Sequence, residues 1–203
     1  MQGTGGPIDE HGLKLRLKPH VIPWNHFDLL PIGATESPLT SLAAGAPAAA
    51  EQGLTTSNLA AIKLTTADII QAQFDLAEED WDLSLDLMAD IRFSCATSTA
   101  ASGIVFDLFV KGLAKGETYV DPVATFDKQL TFPAYTTAGQ NKLEITPRLA
   151  LGIPGTFAAD RKLIVAVKMT DDGTAAGDDI CFTSLVLWGT RAIMSASGVR
   201  ETT

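Results

Sequence analysis

Leu83, Leu85, Leu87, Ala89, Ile91, Phe93 and Cys95 alternate with Asp82, Ser84, Asp86, Met88, Asp90, Arg92 and Ser94. A strand sends successive side chains to opposite faces, so this pattern predicts one strand with a buried face and a wet one. On a helix the same order would scatter the carboxylates around the axis. A wet face also favours an antiparallel sheet over a parallel one. Weaker copies follow. Ile104, Phe106, Leu108 and Val110 alternate with Val105, Asp107, Phe109 and Lys111, and Leu163, Val165, Val167 and Met169 alternate with Lys162, Ile164, Ala166 and Lys168. Strict alternation puts Ile180, Phe182, Ser184, Val186 and Trp188 on one face of a last long strand, with Cys181, Thr183, Leu185 and Leu187 on the other.

Shorter strands are predicted at 61–64, 69–74, 128–132 and 143–146, for a total of about eight with no long helix. The joints hold turn residues: Gly112 and Gly116, Ala138-Gly139-Gln140-Asn141, Asp171-Asp172-Gly173 and Gly177-Asp178-Asp179. Asp and Asn bond their own backbone in turns, and Gly takes positive φ. The expectation is an all-β, antiparallel β-sandwich, most economically a jelly roll, over residues 59–203. An immunoglobulin-like sandwich competes, but there is no Cys…Trp…Cys spacing to support it.

Residues 1–58 read differently. They hold Pro7, Pro19, Pro23, Pro31, Pro38 and Pro47, six of the ten prolines, and Leu39 to Gly53 is mainly Ala, Gly, Ser, Pro and Thr. Prolines at this spacing argue against any long regular strand or helix. This stretch is therefore expected to be an extended N-terminal arm and linker. Within it, Val21, Ile22, Trp24, Phe27, Leu29 and Leu30 form an apolar patch that a solvated tail would gain nothing from. They are the candidate interface residues, expected to dock on their own sandwich or on a neighbour's. Truncating Trp24 and Phe27 is expected to weaken assembly and leave the sandwich folded.

Composition narrows the function classes. The 203 residues suit one good-sized domain, and 46% hydrophobic residues can bury a core. Lys plus Arg is 15 against 24 for Asp plus Glu, a formal charge of −9. This balance, with no basic block, argues against nucleic-acid or anionic-membrane partners. Two cysteines, Cys95 and Cys181, are too few for a disulfide framework and read as small buried thiols, with a bridge between them as the alternative. No apolar run is long enough for a membrane-spanning helix, and Met1 to Pro7 has no secretory-signal pattern.

Candidate chemistry is sparse. His11, His20 and His26 all lie in the arm without metal-ligand spacing, so a histidine-based triad in the sandwich is not expected. No G-x-S-x-G elbow occurs, and Gly112 to Thr118 lacks the P-loop pattern. Glu78, Glu79, Asp80 and Asp82, and Asp171, Asp172, Asp178 and Asp179, form loop clusters that read as solvated charge, with calcium as the alternative. Asp86 and Asp90 share a strand face but look solvated. Trp81 reads as a core or interface anchor before a sugar platform. The expectation is no enzyme, no cofactor and no metal.

Glu78-Glu79-Asp80-Trp81-Asp82 leads into the alternating strand, then the small-residue loop Ala96 to Gly103, then Ile104-Val105-Phe106-Asp107-Leu108. This order, with the closing Leu185 to Arg191, resembles jelly-roll virion structural proteins of tailed bacteriophages, head and decoration proteins in particular. The resemblance covers about residues 60–195 and is one of strands and turns. It implies a virion protein made in the host cytoplasm, self-associating as a homo-oligomer, with a trimer as the common arrangement. It further implies the major capsid protein or another virion protein as partner. A carbohydrate-binding or host-attachment sandwich is the alternative function.

Overall fold

The computed structural model describes residues 14–27, 61–76, 79, 81–95, 101–113, 116, 126–136, 138–139, 142–154, 162–174 and 180–193. They contain ten strands: β1 (Lys14–Pro23), β2 (Ile62–Leu64), β3 (Ile69–Asp75), β4 (Leu87–Cys95), β5 (Val105–Leu113), β6 (Lys128–Thr131), β7 (Glu144–Ile145), β8 (Leu149–Gly152), β9 (Lys162–Asp171) and β10 (Ile180–Ile193). One 3-10 turn, Trp24–His26, follows β1.

Sheet A has β10 and β4 at its centre. β1 and β2 lie end to end along one side of β10, and β7 and β8 lie along the far side of β4. Sheet B runs β3-β9-β5-β6, and every pair in both sheets is antiparallel. The chain visits sheet A at β2, sheet B at β3, A at β4, B at β5 and β6, A at β7 and β8, B at β9, and A at β10. With β7 and β8 counted as one interrupted strand, this is the eight-strand jelly roll that the alternation predicts. β1 extends the sheet A edge that β2 begins.

The inward faces interdigitate. Ile91, Phe93 and Cys95 of β4, Phe106, Leu108 and Val110 of β5, Leu163, Val165 and Val167 of β9, and Phe182, Leu185 and Leu187 of β10 form one buried cluster. Phe93 sits at its centre, with its ring 5.2 Å from both Phe106 and Tyr135.

Four expectations change. The thirteen-residue alternation is not all strand: residues 83–85 turn before β4 begins. The Asp82 carboxylate accepts the Ser84 backbone N–H at 2.9 Å and its hydroxyl at 2.6 Å, an Asx-type turn that competes with the ladder. Second, the faces of β10 switch part-way. A register shift between Phe182 and Ser184 places Ile180, Phe182, Leu185 and Leu187 in the core together, which strict alternation would divide. A bulge inserts one residue and so reverses the parity of everything after it. Third, the outward face of β4 is not wet, because Asp90 is 3% exposed and Ser94 1%. Fourth, a ten-residue strand does run through the proline-rich segment. β1 is an edge strand, where every second N–H points away from the partner. Pro19 and Pro23 are four residues apart, share that parity, and so cost the ladder nothing.

Candidate functional site

The outward surface of sheet A gathers most of what is unusual in the described residues. The registers place its side chains in rows across the strands. Pro19, Trp188, Met88 and Ala150 form one row; Val21, Val186 and Asp90 a second; Pro23, Ser184, Arg92 and Ile145 a third. Leu17, Val21 and Ile145 on this surface, and Leu143 beside β7, are large apolar residues between 39% and 58% exposed. Ile153, just past β8, is exposed as well, which leaves Phe126 as the one large exposed hydrophobic near sheet B among the described residues.

A polar cluster is set into the middle of this apolar surface. Asp90 accepts the Trp188 indole N–H. Arg148 lies over the Trp188 ring with its guanidinium carbon 3.6 Å from the centroid, and its Nε is 3.6 Å from Asp90 Oδ2. Arg92 Nε faces Asp90 Oδ1 at 3.8 Å, within ion-pair reach but beyond a hydrogen bond. A buried carboxylate is tolerated only with such partners. Asp90 is thus held among an indole and two guanidinium groups, and no base is presented to solvent.

The sequence-predicted interface residues divide. Ile22 is 2% exposed and Phe27 5%, both in the chain's own core, and Phe27 meets Phe182 edge-on at 4.9 Å. Trp24 packs against that core from a half-buried position. Val21 alone points outward, 44% exposed. Leu29 and Leu30 lie outside the described residues. Truncating Phe27 therefore strikes the fold before it could report on assembly. Alternation within β1 could have separated Val21 from Ile22, had Pro19 not spoken against a strand there.

The other chemistry-bearing residues are occupied structurally. His20 Nδ1 is 2.7 Å from Glu79 Oε1, Lys18 Nζ is 2.9 Å from Glu79 Oε2, and the His20 ring packs on Phe74. This network fastens β1 to the loop after β3. Asp107 accepts the hydroxyls of Thr131 and Thr170 from the two neighbouring strands, at 2.6 and 2.7 Å. Trp81 is 7% exposed, in the core. Cys95 and Cys181 form no disulfide; adjacent ladder positions put Cys95 in the main core and Cys181 against Ala61 on the other face of sheet A. No group of His, Cys, Asp and Glu among the described residues could hold a metal ion. His26 is exposed, while His11, Glu78, Asp80, Asp178 and Asp179 lie outside the described residues.

Tyr135 donates its phenol to Glu144 Oε2 at 2.6 Å, while the other Glu144 oxygen accepts the Gly139 N–H at 2.8 Å. The hydrogen bond to Glu144, followed by burial and the carboxylate charge, pushes the Tyr135 pKa up to about 12 from 10. The neutral phenol is the form the fold favours. Its contribution is complete below the unfolded value of 10 and is lost as pH rises through about 12. Stability should therefore decline across that alkaline window. Tyr135→Phe should remove this part of the decline and lower stability near neutrality by about 1 kcal/mol, as read by urea unfolding at a series of pH values. An unchanged alkaline slope would show that the pair does not couple to folding.

No family's sequence profile matches the chain, and no curated protein matches it by sequence. Distant solved structures do align. One is the GH115 4-O-methyl-alpha-glucuronidase BtGH115A, described as specific for decorated arabinogalactans, at 15% identity and a TM-score of 0.38, with 68% of this chain and 15% of that one covered. The chain thus spans 15% of the length of that enzyme. Another is the CBM35 from Cellvibrio japonicus Abf62, at 15% identity and 0.38, covering 75% of this chain and 88% of that one. A third is the insecticidal delta-endotoxin Cry8Ea1 from Bacillus thuringiensis, at 12% identity and 0.39, covering 72% and 22%. At these values the likeness carries nothing about function.

Proposed function

We propose that this chain is a non-enzymatic structural protein of a virion, a capsid decoration or head-associated component that self-associates. The virion comes from the sequence resemblance. The observation that supports association is the outward surface of sheet A, where Leu17, Val21, Leu143 and Ile145 stand exposed at both edges. Large apolar side chains gathered on one face of a sheet suit contact with another copy. Its occupant in this reading is a second copy of the chain. Copies carrying −9 repel one another, so they should meet where carboxylates are fewest. On the outward face of the sheet A strands the described charged groups are Lys63, Arg92 and Asp90, with Arg148 beside them, and Asp90 is buried. The face is locally positive on an acidic protein.

The test is Leu17→Lys combined with Ile145→Lys. Both side chains are exposed, so the fold should be kept, with the urea midpoint moving by no more than about 0.5 kcal/mol equivalent. Self-association in sedimentation at micromolar concentration should weaken at least tenfold, since the two burials together are worth on the order of 2 kcal/mol. A wild-type chain that stays monomeric, free and on particles, would overturn the reading.

The carbohydrate-binding alternative needs an exposed aromatic platform. Trp81 and Phe109 are buried, Tyr135 is tied to Glu144, and Tyr119 lies outside the described residues. Phe126 is exposed, but its ring packs on Phe109 at 5.3 Å. No observation favours that reading over assembly.

A further inference from the structure

The chain leaves and re-enters sheet A at one residue. Phe27 packs its ring on Phe182, and Ile62 is the ladder partner of the same Phe182. Residues 28–60, 33 in number, therefore connect two points that a few residues could join. The covalent connection is far longer than the gap it spans. What it permits is clear from its covalent length, about 110 Å at full extension. Covalent length alone does not oblige β1 to pair with the β10 of its own chain.

The element before that connection is separable and necessary. Among the described strands, β1 touches the sandwich as an edge strand, paired along ten residues with β10 alone. It delivers Ile22 and Phe27 to the core, and Lys18 and His20 to Glu79. An edge strand that completes a core and hangs on a long connection is the element that copies can trade at small cost, because every contact made in exchange is one already made at home. We propose that β1 exchanges between copies, the strand of one chain completing sheet A of the next. This rests on the self-association proposed above only in that copies must meet. The partner is a second copy of this chain, recognised by the β1–β10 ladder and the Phe27–Phe182 contact.

The register supplies a test. Leu17 and Thr190 are ladder partners on the outward face. They share the parity of Pro19, whose nitrogen cannot join the ladder, so theirs is a non-hydrogen-bonded pair, with Cα atoms about 4.5 Å apart, within disulfide range. Two single variants, Leu17→Cys and Thr190→Cys, are coexpressed, brought to about 1 mM in a glutathione redox buffer, and run on a non-reducing denaturing gel with peptide mass spectrometry. The native Cys95 and Cys181 are buried and stay out of the reaction. Exchange joins position 17 of one variant to position 190 of the other and makes no 17–17 or 190–190 bond, whereas contact between two outward faces has no such preference, so a 17–190 bond that is not in large excess over the other two overturns exchange. A tethered strand competes at an effective concentration in the millimolar range. Tens of per cent of the chains should therefore carry the bond at about 1 mM, and at least tenfold fewer at about 10 μM. Absence of the 17–190 heterodimer at the higher concentration overturns the exchange. Sedimentation of the unmodified chain under the same conditions separates the two readings. Assembly without the bond leaves surface-mediated association standing, and a monomer throughout removes that as well.

Discussion

A protein beginning at residue 59 should lose most of its stability. The removed segment covers one side of β10 from Ser184 to Ile193 and places Ile22 and Phe27 in the core. Each of those side chains is worth roughly 1.5–3 kcal/mol when fully buried. The ladder itself, the half-buried Trp24 and the Lys18 and His20 contacts to Glu79 go with them. Leaving Glu79 without Lys18 and His20 costs more, and the bared β10 edge becomes a template for aggregation. Against a total of about 5–15 kcal/mol for a domain, a loss on the order of 5 kcal/mol or more leaves little. Urea unfolding followed by far-UV circular dichroism should show a broad, early transition or an aggregate. Adding a synthetic peptide of residues 12–27 should restore part of the midpoint. A 59–203 protein as stable as the full chain would mean that β1 is decoration on the sheet and no part of its core.

The second large effect is expected at Gly189. The Trp81 indole packs against the β10 backbone there, and a Cβ on residue 189 would overlap Cγ and Cδ2 of the ring. That is no contact a small shift can relieve, since Trp81 is itself 7% exposed and packed near Phe74. The Asp82 N–H donates to the Thr190 carbonyl at 2.7 Å, so the backbone next to Trp81 is pinned too. Gly189→Ala must expel the indole or spread the loop from the sheet. Overpacking costs about 1–3 kcal/mol, and losing a buried Trp about 3–5. A destabilisation of about 3 kcal/mol, or roughly 6–12 °C in Tm for a chain of this size, is expected, with a red-shifted tryptophan emission. A double variant, Gly189→Ala with Trp81→Leu, should recover part of the loss. Wild-type stability in Gly189→Ala would show that the indole does not rest there in solution.

The two effects share a cause. Both act at the rim of sheet A where distant segments close over β10: β1 from one side and the loop before β4 from the other. Exchange of β1 between copies would leave the Trp81 contact untouched, so Gly189→Ala should lower stability without altering the 17–190 bonding pattern.

Local chemistry was enough to make most of the strands legible. Alternation in 104–111 and 162–169 marks strands because a sandwich strand with one buried face must repeat every two residues. The turn residues between them mark where the ladder must stop. The absence of a histidine after His26 and the acidic composition bear on function from sequence alone. What a period of two cannot carry is anything that changes the parity or supplies a covering from far away. The bulge at Thr183 is invisible in the sequence, because Ile180 to Trp188 is apolar on both faces and either parity looks acceptable; only the partners on β4 select one. Asp90 reads as solvated because its neighbours along β4 are polar. It is buried because Trp188 and Arg148, 98 and 58 positions further along the chain, close over it. β1 reads as an arm because proline counts against strands in general; its place at an edge, which excuses Pro19 and Pro23, is a property of the assembled sheet. Side-chain period and turn chemistry are local and stand in the sequence, while parity after a bulge, burial of a lone carboxylate and the tolerance of an edge depend on neighbours that only the tertiary fold brings together.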